Sequence, residues 1–410
     1  MSNKINLIKA PIQSTNKKAL IQLNGKNLII TGANGCGKTQ LIDSIYNFLQ
    51  AKIVHRNHIT PIEARNQLTN AELALSGTTN NSIAYHSILT AVSHWKKELY
   101  NAENPLATVE NAEKFSIDYS NKKAILAKFE AFRQANIRPS GASRSKEALV
   151  AETVQHEDAR ILFEEYLVSQ KTAQAYAESP AIGNDPETAY TISAWFTKLE
   201  NDLQELFEDQ NLKLLFQPNS QSFVIKQNNK RPYSFQQLSS GFSAVLAIYA
   251  DLLMRIHLGS THPDQVYGIA FIDEIDAHLH VSIQRKIFSF LSCAFPRIQF
   301  IVTTHSPFVV SSVSDAVIYD LSSLQQTDDL SMFSYESILA GLFDVLPISE
   351  ILKNKILELS SLLQHPQPDI PKLYKLTLEI SEHENHLDSE SAFFLKKAKI
   401  IINKSDYKGV

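Results

Sequence analysis

Cysteine is nearly missing from this chain. Only Cys36 and Cys293 occur in 410 residues, with no CxxC partner and no metal-ligand spacing. That excludes a disulfide framework and points to a reducing compartment, the cytoplasm. Long apolar runs are missing too: no uninterrupted stretch approaches the ~18 residues that read as a membrane span. The apolar stretch in the opening MSNKINLIKAPIQ is too short for a signal peptide. A membrane partner is therefore not expected. Nor does one sign of charge dominate, since 39 Lys and Arg against 43 Asp and Glu give a formal net charge of -4. Such a balance argues against a surface that coats nucleic acid, although it leaves room for a local basic patch. What is present, 44% apolar and 20% charged residues, suffices for a sizeable core in one large domain or two to three smaller ones.

Near the N-terminus, ALIQL (19–23) and NLIIT (27–31) read as two short strands joined by an Asn24-Gly25 turn. A glycine-rich turn follows, then an amphipathic helix with Leu41, Ile42, Ile45, Phe48 and Leu49 on one face. Residues 57–209 read differently. Helical patterns dominate in the runs 87–102, 122–135, 147–178 and 187–209, broken by loop signals at Pro139-Ser140-Gly141 and at 179–186. Heptads are not sustained, so a compact helical insertion is expected in place of a coiled-coil arm. Strand character returns in LKLLFQ from Leu212 and in SFVIKQ. Strands at 268–272, 298–303 and 317–320 then alternate with helices, the pattern of an α/β sheet. After Tyr335 the chain is helix-prone and poor in glycine. The expected division is a core begun by 1–56, a helical insertion at 57–209, the rest of the core at 210–335, and a helical region at 336–410.

The strongest chemical signal is Gly32-Ala33-Asn34-Gly35-Cys36-Gly37-Lys38-Thr39, followed by Gln40. It matches G-x-x-x-x-G-K-[ST] between a predicted strand and a predicted helix, the context of a P-loop. Glycines let the backbone bend so that successive N–H groups face phosphate oxygens, and the helix start adds partial positive charge. In that reading Gly32, Asn34, Gly35, Cys36, Gly37, Lys38, Thr39 and Gln40 bind ATP. Lys38 reaches the β- and γ-phosphates, and Thr39 is a ligand of Mg²⁺. Gly268 to Ile272 is an apolar strand ending in Asp273-Glu274, the form of a Walker B motif. Asp273 is expected to hold Mg²⁺ and Glu274 to polarise the attacking water as general base. An apolar strand ending in two acids is weak alone and gains its meaning from the P-loop upstream.

Leu238-Ser239-Ser240-Gly241-Phe242 opens a helix with Val245, Leu246, Tyr249, Leu252, Leu253 and Ile256 at helical spacing. Alone this is a capped helix. Between the other two motifs it resembles the ABC signature LSGGQ, with Ser240 for the first glycine and Phe242 for glutamine. His305, directly after the strand ending in Thr303-Thr304, stands where ABC proteins carry their switch histidine. Four motifs in ABC order thus span residues 32–305. The resemblance implies an α/β fold, the ABC-ATPase P-loop nucleotide-binding fold, with a helical insertion and a helical C-terminal extension. It also implies a homodimer or higher oligomer in which Ser239, Ser240 and Gly241 contact, in trans, the γ-phosphate held by the other copy. Glu274 and His305 would be catalytic.

The run Asp273-Glu274-Ile275-Asp276-Ala277-His278-Leu279-His280 departs from the transporter pattern, which has aspartate where His280 falls. It resembles the non-transporter ABC ATPases related to SMC, RecF and the overcoming-lysogenisation-defect family, and places His280 in the D-loop. His278 and His280 could also suggest a metal pair; the D-loop reading is preferred. Gln67 is a weak candidate for the Q-loop glutamine. Over most of the chain, through LFEEYLVSQKTAQAYA, WFTKLENDLQELFEDQNLKLLF, FQQLSSGFSAVLAIYADLL and FIVTTHSPFVV, the sequence resembles bacterial antiphage ATPases of the Septu type, the PtuA family, also found with retrons. That resemblance implies a separate effector, often an HNH nuclease. Asp315 and Asp320, at the ends of a predicted strand, are expected to be solvated. The helices after 335, including 349–363, read as an interaction module. Lys96, Lys97, Lys122, Lys123, Arg133, Arg138, Arg144 and Lys146 could form a DNA-binding face, or merely a solvated helical surface with balancing acids. The alternative function is accordingly a DNA-repair ATPase that binds DNA directly.

Overall fold

The computed structural model describes residues 3–12, 17–79, 83–153, 158–259, 262–342, 349–365, 369–384, 387 and 389–405. The chain divides into two compact units, Met1–Phe333 and Ser334–Val410. The first begins with β1 (Ile5–Pro11), β2 (Lys18–Gln22), β3 (Asn27–Thr31) and α1 (Lys38–Ile53). There follow α2 (Pro61–Ser76), α3 (Ile83–Glu103), β4 (Ala107–Val109), α4 (Ala112–Ser120) and β5 (Ala124–Phe129). Next come α5 (Lys146–Thr153), α6 (Phe163–Glu178), α7 (Pro186–Phe207), β6 (Lys213–Gln217), β7 (Ser222–Lys226) and α8 (Ser240–Gly259). The unit ends with β8 (Tyr267–Ile272), α9 (Val281–Gln284), α10 (Ile287–Ala294), β9 (Ile298–Thr303), α11 (Pro307–Val310), β10 (Ala316–Asp320) and β11 (Gln325–Asp328).

The main sheet has the order β11-β10-β3-β9-β8-β5 and is parallel except for β11. In a second sheet β1 lies between β2 and β4, antiparallel to both, and β6 pairs with β7 in a ribbon. Strands β3, β8, β9 and β10 are buried almost end to end, as parallel strands covered on both faces must be. The helical stripe Leu41, Ile42, Ile45, Leu49 and Ile53 of α1 is buried in one cluster with Leu28, Ile30, Ile269, Phe271 and Ile301 from the sheet. Each such aliphatic side chain stabilises the fold by about 1.5–3 kcal/mol. Packing therefore fixes where α1 starts, at the end of β3. This is the P-loop ABC-ATPase arrangement that the motif order implied.

The expected helical run 122–135 requires correction. Its first half is β5, the strand at one end of the main sheet, paired along Ala124–Phe129 with Tyr267–Ile272 of β8. Ala124, Ile125, Leu126, Ala127 and Phe129 are all buried, so the strand shows no alternation, and its alanines and leucine read as helix. The run 147–178 is likewise two helices, α5 and α6, with a 3-10 turn at Ala159–Leu162 before the second. Residues 57–209 thus contribute strands to both main sheets as well as helices. Among the described residues only α8 is long and apolar enough to cross a bilayer, and 72% of its apolar stretch lies inside the fold.

The second unit consists of α12 (Tyr335–Leu342), α13 (Glu350–Gln364), α14 (Ile370–Ser381) and α15 (Ser389–Lys404). It has its own core, in which Ile356, Leu359, Leu373, Ile380, Leu395, Ala398 and Ile402 are buried together.

Candidate nucleotide site

All five parallel strands end at the same edge of the sheet, which is where open α/β sheets place their ligand sites. β3 runs into Gly32–Thr39 there, β8 into Asp273-Glu274 and β9 into Thr304-His305. The P-loop bends through Gly32, Gly35 and Gly37 at φ 137, 77 and 100°, a region closed to most side chains. At Gly32 a Cβ would also strike Cys36 Sγ and Ser322 Oγ, each 2.9 Å away. At Gly35, by contrast, a Cβ would meet nothing within 4 Å, so that position faces open space. No side chain caps α1, which leaves its first amides facing that space, a site suited to an anion. Lys38 is buried and its ammonium donates to the carbonyls of Gly32 (2.9 Å) and Ala33 (3.1 Å). Asn34 and Gln40 are exposed at the rim, and Cys36 is half-buried.

Thr39 Oγ1 donates to Asp273 Oδ2 (2.9 Å), which joins the P-loop to the end of β8. The other carboxylate oxygen of Asp273 accepts from Thr303 Oγ1 (2.6 Å), and that hydroxyl accepts from the Glu274 amide (2.7 Å). Glu274 itself has φ 43°, uncommon for a side chain of its size. Its backbone is held from behind by Arg133, a residue beyond β5. The Arg133 guanidinium donates to the carbonyls of Asp273 (2.9 Å), Glu274 (3.3 Å) and Ile275 (2.8 Å). Burial lowers its pKa to about 10, opposed by Asp276, Asp273 and Glu274, so it stays charged at neutral pH. His305 is half-buried, and desolvation together with the Lys38 ammonium lowers its pKa below the ordinary 6.5, opposed by the nearby carboxylates. At neutral pH its imidazole is uncharged and can both donate and accept. Thr304 Oγ1 donates to Asp276, and Ser306 Oγ donates to Gln284 (2.7 Å), fixing the turn around His305.

Ser239 and Ser240 are exposed at the start of α8. Gly241 sits tight against the loop beyond Glu274, where a Cβ would lie 3.2 Å from the His278 carbonyl oxygen. Ser243, one turn on, accepts from the Ala135 amide (3.0 Å), and Gln236 donates to the Ile137 carbonyl (3.1 Å) and to buried Glu164 (3.1 Å). The signature segment, the acidic loop and the segment after β5 are therefore one packed assembly. His280 is exposed and its ring caps α9, accepting from the Ser282 amide (3.3 Å). His278 is exposed and meets the Phe132 ring edge-on at 6.2 Å. Among the described residues no group of three or more His, Cys, Asp or Glu is arranged to hold a metal ion.

Other expected residues fall elsewhere. Gln67 is exposed on α2, which packs chiefly on α3. Asp320 is not solvated: it is buried and accepts from the amides of Ser322 (2.9 Å) and Ser323 (3.3 Å). That turn brings Ser322 Oγ to the Ala33 amide (2.8 Å), so the end of β10 supports the P-loop. The basic residues do not form a single free face. Arg133 is buried, Lys96 pairs with Glu72 (3.3 Å), and Arg138 and Arg144 are held by Glu152 and Glu165. Arg133, read from the sequence as a possible DNA contact, instead supports the acidic loop; that role and the role of Ser322 escaped the sequence reading because their partners are backbone groups, which leave no spacing pattern. The two hydroxyls of Thr303-Thr304 at a strand end were a readable signal.

Residues 28–311, well over half of the chain, match the family described as "AAA domain, putative AbiEii toxin, Type IV TA system". The chain belongs to this AAA-domain family. Among relatives of the AAA-domain chain, "Retron Ec83 probable ATPase" from Escherichia coli is 41% identical over 119 residues, which cover 28% of this chain and 21% of the relative. "Septu protein PtuA" from Bacillus mycoides (strain KBAB4) is 33% identical over 147 residues, covering 33% of this chain and 20% of the relative. The chain thus spans about a fifth of the length of these curated relatives. A solved SMC head bound to the C-winged helix domain of ScpA is 13% identical to the AAA-domain chain, with a TM-score of 0.37. It covers 80% of this chain and 99% of its own.

Proposed function

We propose that this protein binds and hydrolyses ATP with Mg²⁺, that two copies close around the nucleotides, and that closure governs a separate effector, a nuclease, in antiphage defence. The carrying observation is the hydrogen-bonded chain Thr39–Asp273–Thr303–Glu274 beside a P-loop whose lysine is already desolvated. Thr39 and Asp273 place a hydroxyl and a carboxylate oxygen together, donors that suit a hard cation, and would hold Mg²⁺. Bound there, the cation would supply charge neutralisation at the β- and γ-phosphates. Lys38 exchanges its two carbonyl partners for phosphate oxygens. Glu274, in its fixed backbone, accepts the proton of the attacking water, and neutral His305 hydrogen-bonds the γ-phosphate. Pairing is supported by the exposure of Ser239 and Ser240 at a helix start, a place where amides favour an anion brought by another molecule. The defence role draws on the relatives named for Septu and retrons. Direct DNA clamping draws less support, because several of the candidate arginines are buried or paired within the fold.

Complementation tests the pairing. Lys38→Ala removes the phosphate-binding charge and Ser239→Arg blocks the signature, so each homodimer should be nearly inactive. Mixed after subunit exchange, half of all dimers carry one intact composite site, and about a quarter of wild-type ATPase activity should return if sites act independently. Normal turnover of Ser239→Arg alone would remove the two-copy reading.

A further inference from the structure

A second concave site lies on the far stretch of α1, away from the P-loop motifs. Its cavity, about 950 Å³, is walled by the exposed faces of β1 and β2, by Ser44 to Lys52 of α1, and by the last turns of α3. That volume falls in the range of small-molecule sites, about 300–1,000 Å³. Four lysines reach it from four different elements: Lys9 from β1, Lys18 from β2, Lys52 from α1 and Lys97 from α3. The two acids that line it both have partners, Glu103 a cation and Glu98 a neutral amide. Glu103 pairs with Arg65, and Glu98 accepts from Asn57 (3.2 Å). Among the described residues Lys9, Lys18 and Lys97 take part in no ion pair. Partial burial lowers the pKa of Lys52, and Glu98 only partly offsets it, so this ammonium sits where an anion would be welcome. Beside the lysines stand an exposed tyrosine, Tyr100, a half-buried phenylalanine, Phe48, and the side-chain amides of Asn47, Asn57, Asn101 and Asn104.

Cations alone would suit any anion, and aromatic rings alone any apolar group. Together with amides able to donate and accept, they match one ligand chemistry: a phosphate joined to a planar, hydrogen-bonding base. We propose that this cavity binds a nucleoside phosphate, either a free nucleotide or part of a single strand, with phosphate among the lysines and the base against Tyr100 or Phe48. The proposal does not depend on the function assigned to the P-loop. The same helix, α1, carries Lys38 and Thr39 at its start and Ser44, Asn47, Phe48 and Lys52 along the cavity, so occupancy bears directly on the element that begins the P-loop site.

The test measures binding of two fluorescent probes, thymidine monophosphate and a 5′-phosphorylated ten-residue oligothymidylate, to full-length protein. A Lys38→Ala background prevents capture at the P-loop. Lys9→Glu with Lys97→Glu, both at exposed positions, should weaken the bound probe by at least about tenfold and flatten its salt dependence. Tyr100→Ala should weaken it by at least about fivefold through lost stacking. In a Lys38-containing background the same substitutions should leave ATP-analogue binding within about twofold, which separates loss of this site from misfolding. Preference for the oligomer identifies a strand as the ligand, and equal binding identifies a free nucleotide. Absence of binding at 0.1 mM of either probe would overturn the proposal. So would affinity indifferent to all three substitutions.

Discussion

Arg133 gives its guanidinium to backbone carbonyls alone, three of them in the acidic loop at Asp273, Glu274 and Ile275. Its work is to hold Glu274 in a left-handed backbone conformation that the residue would rarely adopt unaided. Arg133→Met keeps most of the volume and removes every donor. Stability should fall by about 3 kcal/mol, since buried carbonyls lose a charged partner. Affinity for a nucleotide analogue should stay within about threefold, while single-turnover hydrolysis should drop by at least about tenfold, because only the base is misplaced. Equal losses in both would instead make Arg133 a general structural support. The P-loop was legible at this scale because phosphate binding requires glycines and a lysine at fixed spacing. Arg133 was not: its partners in the acidic loop lie about 140 positions along the chain, and any sequence there presents carbonyls.

Among the elements, β5 shows how burial hides a strand. It is the neighbour that locks β8 in place, and its register puts Ile125 opposite Gly268. A Cβ at 268 would come within 2.2 Å of the Ile125 carbonyl oxygen and 2.9 Å of its carbonyl carbon, both backbone atoms that cannot turn aside. Gly268→Ala should therefore push β5 from β8 and cost about 3 kcal/mol, at the upper end of overpacking penalties. Chemical denaturation would show this as a lower midpoint, and amide exchange should rise first along 124–129. A variant as stable as wild type would mean that the two strands part easily. Strands such as β3 and β9, with β-branched residues and turn signals at their ends, were readable from the sequence; β5, alanine-rich and covered on both faces, carried no period to read.

For the whole molecule, acid stability draws on a buried histidine where α7 meets α8. Trp195 Nε1 donates to His257 Nε2 (3.2 Å), which requires that nitrogen to be unprotonated. Burial, with the Lys146 and Lys198 charges, lowers the His257 pKa to about 4, and Asp264 opposes them. As pH falls below 6.5 the unfolded chain takes up a proton that the folded chain refuses until about pH 4. The stability contributed by neutral His257 is thus whole above pH 6.5 and is lost toward pH 4, by about 3 kcal/mol in all. Between pH 7 and 5, His257→Gln, which still accepts from Trp195, should lose about 1–2 kcal/mol less than wild type in urea unfolding. Identical pH slopes would locate the acid sensitivity elsewhere.

At Gly241 a Cβ would lie 3.2 Å from the His278 carbonyl, so the start of α8 packs directly on the acidic loop of the same chain. In the proposed pair, the first of these would touch the nucleotide of the other copy and the second its own. Filling one position would then change the affinity of the other, and by reciprocity the second would report back to the first. Such a pair would follow the cellular nucleotide level more steeply than two independent sites, with a Hill coefficient between one and about two.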